Sequence, residues 1–471
     1  MSDGAITDGM RVDIAIVGGG LAGLSAAVVA AQAGAAVLVL ERGADERYAC
    51  NSRSAGGAFH VAYTDAAGDP GDLLAAIGRI TKGEVDAALA AAVAENAGRT
   101  VRWLRDQGVA FEPGSAPMYN WMTAPHRPML AGMDWPDCGP DVMMQALAAR
   151  LADAGGILAR GCAAQALVMT DGACRGLTVR TGSGETATIA SKSVIIADGG
   201  FQGNADMVGR YISPRPDLLV QRSAGTAMGD GIRMAEAAGA ALVSMERFYG
   251  HFLSRDVMTG ADLSPYPQID QIATASIVID GSGRRFADEG IGGIYMSNLV
   301  ARFDDPASAF TIFDRRIWEE GPGVKSVYPA NPTVEKASGT VYRADSAAAM
   351  ARQIGVDPDT LSRTVEDYNA AVGNDAREQL DIARTDSLFP ATPLDTQALM
   401  AIPLAVGITN TMGGIAIDGN MRVKRADGSI IAGLYAAGGT TGGLEGGGTI
   451  GYVGGLIKAA VTGLLAGENA R

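Results

Sequence analysis

Three glycines and a carboxylate near the N-terminus have the residue types and the spacing that dinucleotide binding requires. Gly18, Gly20 and Gly23 follow the apolar run 12–17, and Glu41 lies 21 residues after Gly20. In such a motif the glycines allow a tight turn, close approach of the backbone to a pyrophosphate, and helix–strand packing, while the acid accepts hydrogen bonds from ribose hydroxyls. The helix N-terminus adds free N–H groups and a positive dipole end. The alternative is a Gly-rich turn in an unrelated α/β protein.

The elements around this motif are predicted from hydrophobic periodicity. A strand over 12–17, a helix over 21–33 and a strand over 36–40 form one βαβ unit, which places the glycine turn at a strand end. Glycine-bearing strand ends recur far downstream, in IIADGG and GLYAAGG, and they favour FAD over NAD. Further predictions are two helices within 72–112, a helix within 139–155, a β-meander over 157–179, a strand over 194–197, helical surface-like structure over 306–396, and a last helix over 456–466.

Composition limits the possible partners. The chain has 471 residues, 47% of them apolar and 19% charged, which is typical of a globular protein with a large core. Its formal net charge of -14 disfavours nucleic acid and anionic membranes as partners. Four scattered cysteines and three scattered histidines form no metal-ligand motif, so no metal site is predicted. The polar N-terminus resembles no signal peptide, and a cytoplasmic location is the default expectation.

Several segments, in order along nearly the whole chain, resemble the flavoprotein subunits of the succinate dehydrogenase and fumarate reductase superfamily, which includes the 3-ketosteroid dehydrogenases. The resemblance implies an α/β fold: a Rossmann-like FAD-binding domain built from both chain ends, 1–241 and 397–471, with an inserted α+β capping or substrate domain over 242–396. The matching segments read VDIAIVGGGLAGLSAA, NSRSAGG, SVIIADGGFQGN, GTAMGDGIRMAEAAGA, IVIDGSGRRFADE, NTMGGIAID and GLYAAGGTTGG.

The same resemblance implies which residues contact FAD. Some would lie along the pyrophosphate, some at the adenosine, and the C-terminal ones around the isoalloxazine. They are Gly18, Gly20, Leu21, Ala22, Glu41, Arg42, Ser52, Arg53, Ser54, Gly56, Gly57, Ala164, Ala197, Asp198, Gly199, Asn204, Asp230, Gly438, Gly439, Thr449 and Ile450. The residues just before the last helix, Thr449 to Gly451, would offer N–H groups to the flavin N1–C2=O edge.

Departures from the family pattern indicate the chemistry. Members with covalent FAD carry a histidine in the segment that begins at Asn51, and this chain has none there, so non-covalent FAD is predicted. Dicarboxylate-reducing members carry a histidine where this chain has Asn410 and an arginine where it has Gly293. They also carry an arginine within the segment that here reads GLEGGGTIGYVGG. Small dicarboxylates are therefore improbable substrates, and the resemblance favours the ketosteroid dehydrogenase branch.

Candidate residues for the chemistry are tyrosines, a histidine and backbone N–H groups. The resemblance implies Tyr295 and His251 as catalytic residues, and Tyr249 is added because it lies two residues from His251, on the same face of a strand. A side chain of this kind must handle the proton beside the carbon that exchanges a hydride with flavin N5. The alternative for each is a packing or surface role. The predicted substrate-binding residues are Tyr119, Arg255, Gly447 and Gly448.

These features predict an FAD-dependent dehydrogenase, or desaturase, acting on CH–CH donors. It would introduce or reduce a C–C double bond adjacent to a carbonyl in a small, cyclic or largely apolar ketone or acid. An external electron acceptor or donor is implied, because the chain has no haem or iron–sulfur cysteine motif. Two alternatives stay open: a fumarate reductase-like ene reductase fed by an external donor, and a non-catalytic flavin-binding redox sensor.

Overall fold

The computed structural model describes residues 6–127, 135–261, 269–326, 329–386 and 389–471. The strands are β1 Arg11–Val17, β2 Val37–Glu41, β3 His60–Val61, β4 Thr64–Asp65, β5 Phe111–Glu112, β6 Met122–Thr123, β7 Ile157–Arg160, β8 Ala163–Thr170, β9 Ala173–Arg180, β10 Thr186–Ile196, β11 Leu219–Gln221, β12 Leu242–Val243, β13 Phe248–Ser254, β14 Ile277–Ile279, β15 Phe310–Asp314, β16 Tyr342–Ala344, β17 Leu399–Thr411, β18 Gly414–Ile415, β19 Arg422–Lys424 and β20 Ile430–Ala436. The helices are α1 Leu21–Gln32, α2 Pro70–Thr81, α3 Ala87–Asp106, α4 Gly139–Asp153, α5 Ala205–Tyr211, α6 Asp230–Ala237, α7 Asp270–Ala275, α8 Gly293–Val300, α9 Arg315–Glu319, α10 Pro322–Lys325, α11 Thr333–Lys336, α12 Ala347–Ile354, α13 Pro358–Gly373 and α14 Gly455–Asn469.

A sheet with eight strands in the described residues holds the glycine turn. Its order is β19-β20-β10-β1-β2-β7, with β8 and β9 continuing from β10 as an antiparallel meander. The pairs β1–β10, β1–β2, β10–β20 and β2–β7 are parallel. Their apolar runs are buried on both faces, as parallel strands between helices must be. The carboxyl ends of β1, β10 and β20 therefore meet at one edge, although they come from distant parts of the chain.

Two helices from opposite ends of the chain cover this sheet together. α1 and α14 approach so closely that a Cβ on Gly463 would lie 2.3 Å from the carbonyl oxygen of Ala22. A Cβ on Gly467 would lie equally close to the carbonyl oxygen of Ala26. The glycines of the last helix thus serve helix packing, and the prediction that both chain ends build one nucleotide-binding layer is confirmed.

The second sheet carries the strand that matters most for chemistry. Its order is β11-β17-β15-β14, and β13 and β16 also pair with the long central strand β17. Two of these strands were not predicted: β15 and β16 lie within 306–396, where the sequence pattern indicated only helices, and β15 is fully buried. β17 falls within 397–471, so this sheet draws on residues on both sides of the proposed domain boundaries, which stay a prediction.

Two negative findings apply to the described ranges. None of the helices there is both long enough and apolar enough to span a bilayer. No cluster of three or more His, Cys, Asp or Glu side chains that could hold a metal ion occurs in the same part of the chain.

Candidate active site

The Gly18 turn has the geometry that a pyrophosphate requires. Gly18 has a φ of 100°, and a Cβ there would lie 2.6 Å from the carbonyl oxygen of Ala197. A Cβ on Gly23 would lie 2.0 Å from the carbonyl oxygen of Gly18. A Cβ on Gly20, by contrast, would meet only the hydroxyl of Ser52, at 3.5 Å. Gly18 and Gly23 are therefore required by packing, whereas Gly20 keeps a space open beside the N-terminus of α1.

The acid at the end of β2 ties this turn together. Glu41 accepts a hydrogen bond from Gly19 N at 2.9 Å and one from Gly43 N at 2.7 Å. Burial raises the pKa of Glu41, and the two N–H donors oppose that rise. The next residue, Arg42, forms an ion pair with Asp230 at 3.0 Å. A ribose at this edge would find a carboxylate and a guanidinium that are already oriented.

The segment after Asn51 supports the same site from the other side. Ser52 accepts a hydrogen bond from Leu21 N at 3.0 Å, so it caps α1 from a distant loop. Arg53 is different, because its guanidinium is buried against the carboxylate of Asp141 and lies over the Tyr48 ring. Its side chain thus has a structural partner, and any contact with FAD would come from its backbone. Ser54 donates to backbone carbonyls of the same turn, and Gly57, with a φ of 91°, packs on Thr123.

The ends of β10 and β20 complete this edge. Ala197 N donates to Val17 O at 2.8 Å, and Asp198 accepts from Gly231 N at 2.7 Å at the start of α6. Burial raises the pKa of Asp198 to about 6, and its Oδ1 has no hydrogen-bond partner among the described residues. A Cβ on Gly439 would lie 3.5 Å from Gly200 N, so the two loops nearly touch.

Other residues predicted to contact the cofactor have mixed placements. Gly438 N donates to Thr462, and Ala22 packs against Gly438. Ala164 lies in β8 beside a cavity of about 460 Å³, which Arg42 and Asp230 also line. The side chain of Asn204 caps α5 and donates to Met228 O. Ile450 N and Gly451 N donate to Gly447 O and Gly446 O within a turn, and α14 begins only at Gly455. The N–H groups predicted for the flavin edge are therefore partly engaged within the protein.

The most distinctive side-chain pair lies on β13 and α7. His251 Nδ1 forms a short hydrogen bond with Asp270 Oδ2, and Asp270 Oδ1 accepts from Phe252 N at 2.7 Å. Both side chains are buried, and His251 Nε2 has no hydrogen-bond partner among the described residues. Burial lowers the pKa of His251, with Asp270 opposing and Arg222 adding to that effect. A neutral imidazole that donates from Nδ1 to a carboxylate presents the lone pair of Nε2.

A cluster of contacting aromatic side chains extends from this pair through Tyr249, and we call it the aromatic chamber: His60, Tyr63, Tyr249, His251 and Tyr452. Tyr249 stacks on Tyr452 with ring centroids 3.8 Å apart and meets His251 edge-on at 4.8 Å. His60 stacks on Tyr63 at 5.1 Å and meets Tyr452 edge-on at 5.9 Å. The chamber therefore offers mainly apolar ring surface, and its polar groups are tyrosine hydroxyls and imidazole nitrogens.

The position of the missing arginine explains the histidine–aspartate pair. Gly293 starts α8, and a Cβ there would lie 2.1 Å from Asp270 Cγ. The carboxyl of Asp270 therefore occupies the space that any side chain at position 293 would need. A larger side chain at position 293 is therefore incompatible with Asp270 in this place.

This contact yields a prediction for Gly293→Ala. The added methyl must displace Asp270 from His251, so the rate of substrate oxidation or reduction should fall about 100-fold, within the range for losing a positioned proton-transfer group. FAD content should change little, whereas thermal stability should fall, because Asp270 is buried and would lose its hydrogen bonds. Ile291→Ala, an exposed neighbour, serves as the matched control. An unchanged rate in Gly293→Ala would contradict the role given to Asp270.

Not all the predicted catalytic and substrate-binding residues come together. His251 and Tyr249 share the chamber, but Tyr295 lies two residues past Gly293, about 200° around α8, where burial and the charge of Asp288 raise its pKa. Arg255 binds Ala307 O and lies over the Phe310 ring. Gly447 O accepts from Arg247 at 2.7 Å, and a Cβ on Gly448 would lie 3.7 Å from Glu84 Oε1.

Several residues of the site carried no sequence signal that singled them out. Asp270, Tyr452 and Tyr63 belong to no chemical motif, and their roles come from contacts between distant segments. Glu445 is a further example: buried in the loop that leads to Tyr452, it pairs with Lys458 at 3.2 Å and accepts from Val453 N. A buried charge in a Gly-rich segment could have indicated that a partner must exist nearby.

His60 gives a pH-dependent prediction for stability. Burial lowers its pKa to about 4, and its Nδ1 accepts from Tyr63 N at 3.2 Å, as a neutral imidazole can. In the unfolded chain, His60 takes up a proton near the ordinary pKa of an imidazole. The free energy of unfolding is therefore highest above that pKa, and it decreases as the pH falls towards 4. Between about pH 7 and about pH 5 the loss is about 2 kcal/mol of unfolding free energy. Urea unfolding of His60→Gln should show a flatter pH profile than the wild type, and identical slopes would contradict this account.

Comparison with known proteins shows the family of this chain. The chain belongs to the FAD binding domain family, whose model matches residues 13–451. It is 27% identical to an NADH:fumarate oxidoreductase of Klebsiella pneumoniae (strain 342) over 97% of this chain and 47% of that protein. It is also 27% identical to a vinyl phenol reductase of Lactiplantibacillus plantarum (strain ATCC BAA-793 / NCIMB 8826 / WCFS1), over 92% of this chain and 90% of that one. The chain therefore spans about half the length of the first relative.

A solved structure supports the fold. The 3-ketosteroid-Δ4-(5α)-dehydrogenase from Rhodococcus jostii RHA1 superposes with a TM-score of 0.71, at 23% identity, over 99% of this chain and 98% of that one. The predictions of the superfamily, the α/β fold and FAD as cofactor are confirmed. The open space at Gly20 and the unpaired buried oxygen of Asp198 fit that cofactor.

Proposed function

We propose that this chain is an FAD-dependent oxidoreductase that introduces or reduces a C–C double bond adjacent to a carbonyl in a small, cyclic or largely apolar substrate. The observation that carries the proposal is the buried His251–Asp270 pair, whose free Nε2 faces no described partner within a chamber of aromatic rings. A proton acceptor of this kind is what a carbon acid next to a carbonyl requires.

FAD, when bound, supplies the exchange of a hydride with carbon. The chain's part in holding it falls to the Gly18 turn, Glu41, Arg42 and the loop at Asp198, whose N–H groups and side chains border the space left open at Gly20. Asn51 is held by Thr409 O and Ala224 N, and no histidine stands in its segment, so the cofactor is held without a covalent bond. Acid precipitation should release all the flavin into solution.

The proton is handled by His251. With Nδ1–H donated to Asp270, Nε2 accepts the proton from the carbon next to the carbonyl in the oxidative direction. In the reductive direction Nε2 carries the proton and delivers it to that carbon. Asp270 holds the ring orientation and stabilises the imidazolium that exists between these states.

The chamber also indicates the substrate class. Asp270 fills the space at Gly293, so a second carboxylate on the substrate would meet a carboxylate rather than an arginine. The stacked rings of Tyr249 and Tyr452 offer apolar surface instead. Both features favour an alkene or ketone with at most one charged group.

The direction of the reaction is a separate question. The relatives named above are a fumarate oxidoreductase that uses NADH and a vinyl phenol reductase, and they favour the reductive direction. Reduction of the double bond, with electrons from an external donor, is therefore favoured over the oxidative direction. The donor is then another protein or a soluble reductant.

Anaerobic absorbance of the flavin tests both directions. Photoreduced holoprotein mixed with cyclohex-2-enone should regain the oxidised flavin spectrum, and oxidised holoprotein mixed with cyclohexanone should lose it if the dehydrogenase direction operates. Because the pKa of His251 is lowered, reoxidation by the enone should accelerate as pH falls, while oxidation of the ketone should slow. A flavin that neither compound changes would leave a redox sensor as the better reading.

A further inference from the structure

A tight hairpin presents one tyrosine to the aromatic chamber. β3 and β4 pair antiparallel and are joined by Ala62 and Tyr63, whose φ values are 48° and 63°. Two consecutive left-handed residues make a type I′ turn, a place normally taken by Asn-Gly or Asp-Gly. Side chains with a Cβ at such positions are strained by about 1 kcal/mol each. Backbone strain of this kind persists where the surrounding structure enforces it.

Neighbouring elements hold the turn in place. Tyr63 N donates to His60 Nδ1 at 3.2 Å, and Ala62 N donates to Val453 O at 2.7 Å, one residue from Tyr452. The base of the hairpin is fixed as well, because Asp65 accepts from Trp121 Nε1 at 2.9 Å. The hairpin backbone that carries Tyr63 is therefore held at three points.

The Tyr63 ring lies at the edge of the aromatic chamber, with its centroid 5.1 Å from that of His60 and 6.3 Å from that of Tyr452. The residue exposes 43% of its surface, yet burial raises its pKa well above the ordinary value, with Tyr452 and Asp270 adding to the rise. Tyr63 makes no hydrogen bond through its hydroxyl within the described part of the chain, whereas Tyr452 Oη accepts from Gly455 N at 2.6 Å.

We propose that Tyr63 is a substrate-binding residue, whose hydroxyl donates a hydrogen bond to the carbonyl oxygen of the substrate in the chamber that His251 lines. This inference rests on the function proposed above and specifies its substrate: a ring or short apolar chain with one oxygen acceptor. Tyr63 fixes the oxygen and His251 handles the proton on the neighbouring carbon. The strained turn keeps the hydroxyl in position before the substrate arrives, so that little ordering is needed on binding.

Paired probes that differ only in the oxygen acceptor test this role. Acetophenone and ethylbenzene share one ring, and their binding to oxidised holoprotein is read from perturbation of the flavin spectrum. Tyr63→Phe should weaken acetophenone binding about tenfold, the value of one hydrogen bond, and leave ethylbenzene binding unchanged. Tyr435→Phe, whose hydroxyl donates to Asn469 O on the outside of the first sheet, is the matched control.

Each outcome separates the two proposals. Equal weakening for both probes would make Tyr63 a packing residue, and no weakening, or no acetophenone binding by the wild type, would also overturn its assignment. If acetophenone binds in the expected way but no alkene reoxidises the reduced flavin, the proposed function fails while the assignment of Tyr63 stands.

Discussion

Replacing His251 by asparagine should lower the rate of flavin reoxidation by a conjugated enone by about 10²–10⁴-fold, the usual contribution of a positioned acid or base. Asparagine keeps a donor near Asp270 but has no group that can exchange a proton at the position of Nε2. Rapid-mixing absorbance under anaerobic conditions measures the rate directly. FAD content should stay at the wild-type level, because no contact of His251 involves the Gly18 turn.

Asp270→Asn provides the matched variant for this prediction. An amide cannot stabilise the imidazolium and favours the wrong tautomer, so the rate should fall to a similar extent. The double variant should be no slower than the slower single variant, since the two residues act as one unit. If the losses instead multiply, or if His251→Asn keeps the wild-type rate, proton transfer belongs to another residue. Tyr295→Phe then becomes the first variant to measure.

The second large effect is expected in the glycine turn. Two glycine-to-alanine substitutions there should change different properties, one the binding of FAD and the other the stability of the fold. Gly20→Ala places a methyl in open space, 3.5 Å from Ser52, and its φ of -72° suits alanine. The fold should survive, but the methyl enters the approach path of the pyrophosphate. An overpacking cost of up to about 3 kcal/mol corresponds to about 100-fold weaker FAD binding.

Gly23→Ala should act on the fold instead. Its Cβ would lie 2.0 Å from Gly18 O, so α1 or β1 must move. We expect a loss of about 3 kcal/mol of unfolding free energy and little soluble protein. Thermal unfolding of the apoprotein, together with a titration of FAD, separates the two effects. A Gly20→Ala protein that binds FAD as tightly as the wild type would contradict the placement of the cofactor.

The nucleotide half of the molecule could be predicted from the sequence because its signals are local. A strand, three glycines, a helix and an acid lie within 31 residues, and each has one physical reason for its position. The family resemblance extended the predicted nucleotide site to the distant strand ends at Asp198 and Gly438. Parallel strands bring such ends together whatever their separation along the chain.

The catalytic half could be predicted only in part. His251 and Tyr249 share a strand, and alternation alone places them on one face. Asp270 reaches His251 from a different element, and no spacing rule connects them. Arg53 is a further example, because its side chain is buried against Asp141, 88 residues away, and no motif indicates that partner. Contacts between distant segments produce no periodic pattern in the sequence.

The most direct test of the central claim compares alkenes as oxidants of the photoreduced holoprotein under anaerobic conditions. Cyclohex-2-enone and 4-phenylbut-3-en-2-one represent apolar alkenes conjugated to a carbonyl, and fumarate represents the dicarboxylates. We predict that at least one of the two apolar alkenes restores the oxidised flavin spectrum and that fumarate does not. Restoration by fumarate alone, or by none of the three, would contradict the assignment of His251, Asp270 and the aromatic chamber as a site for apolar carbonyl-linked alkenes.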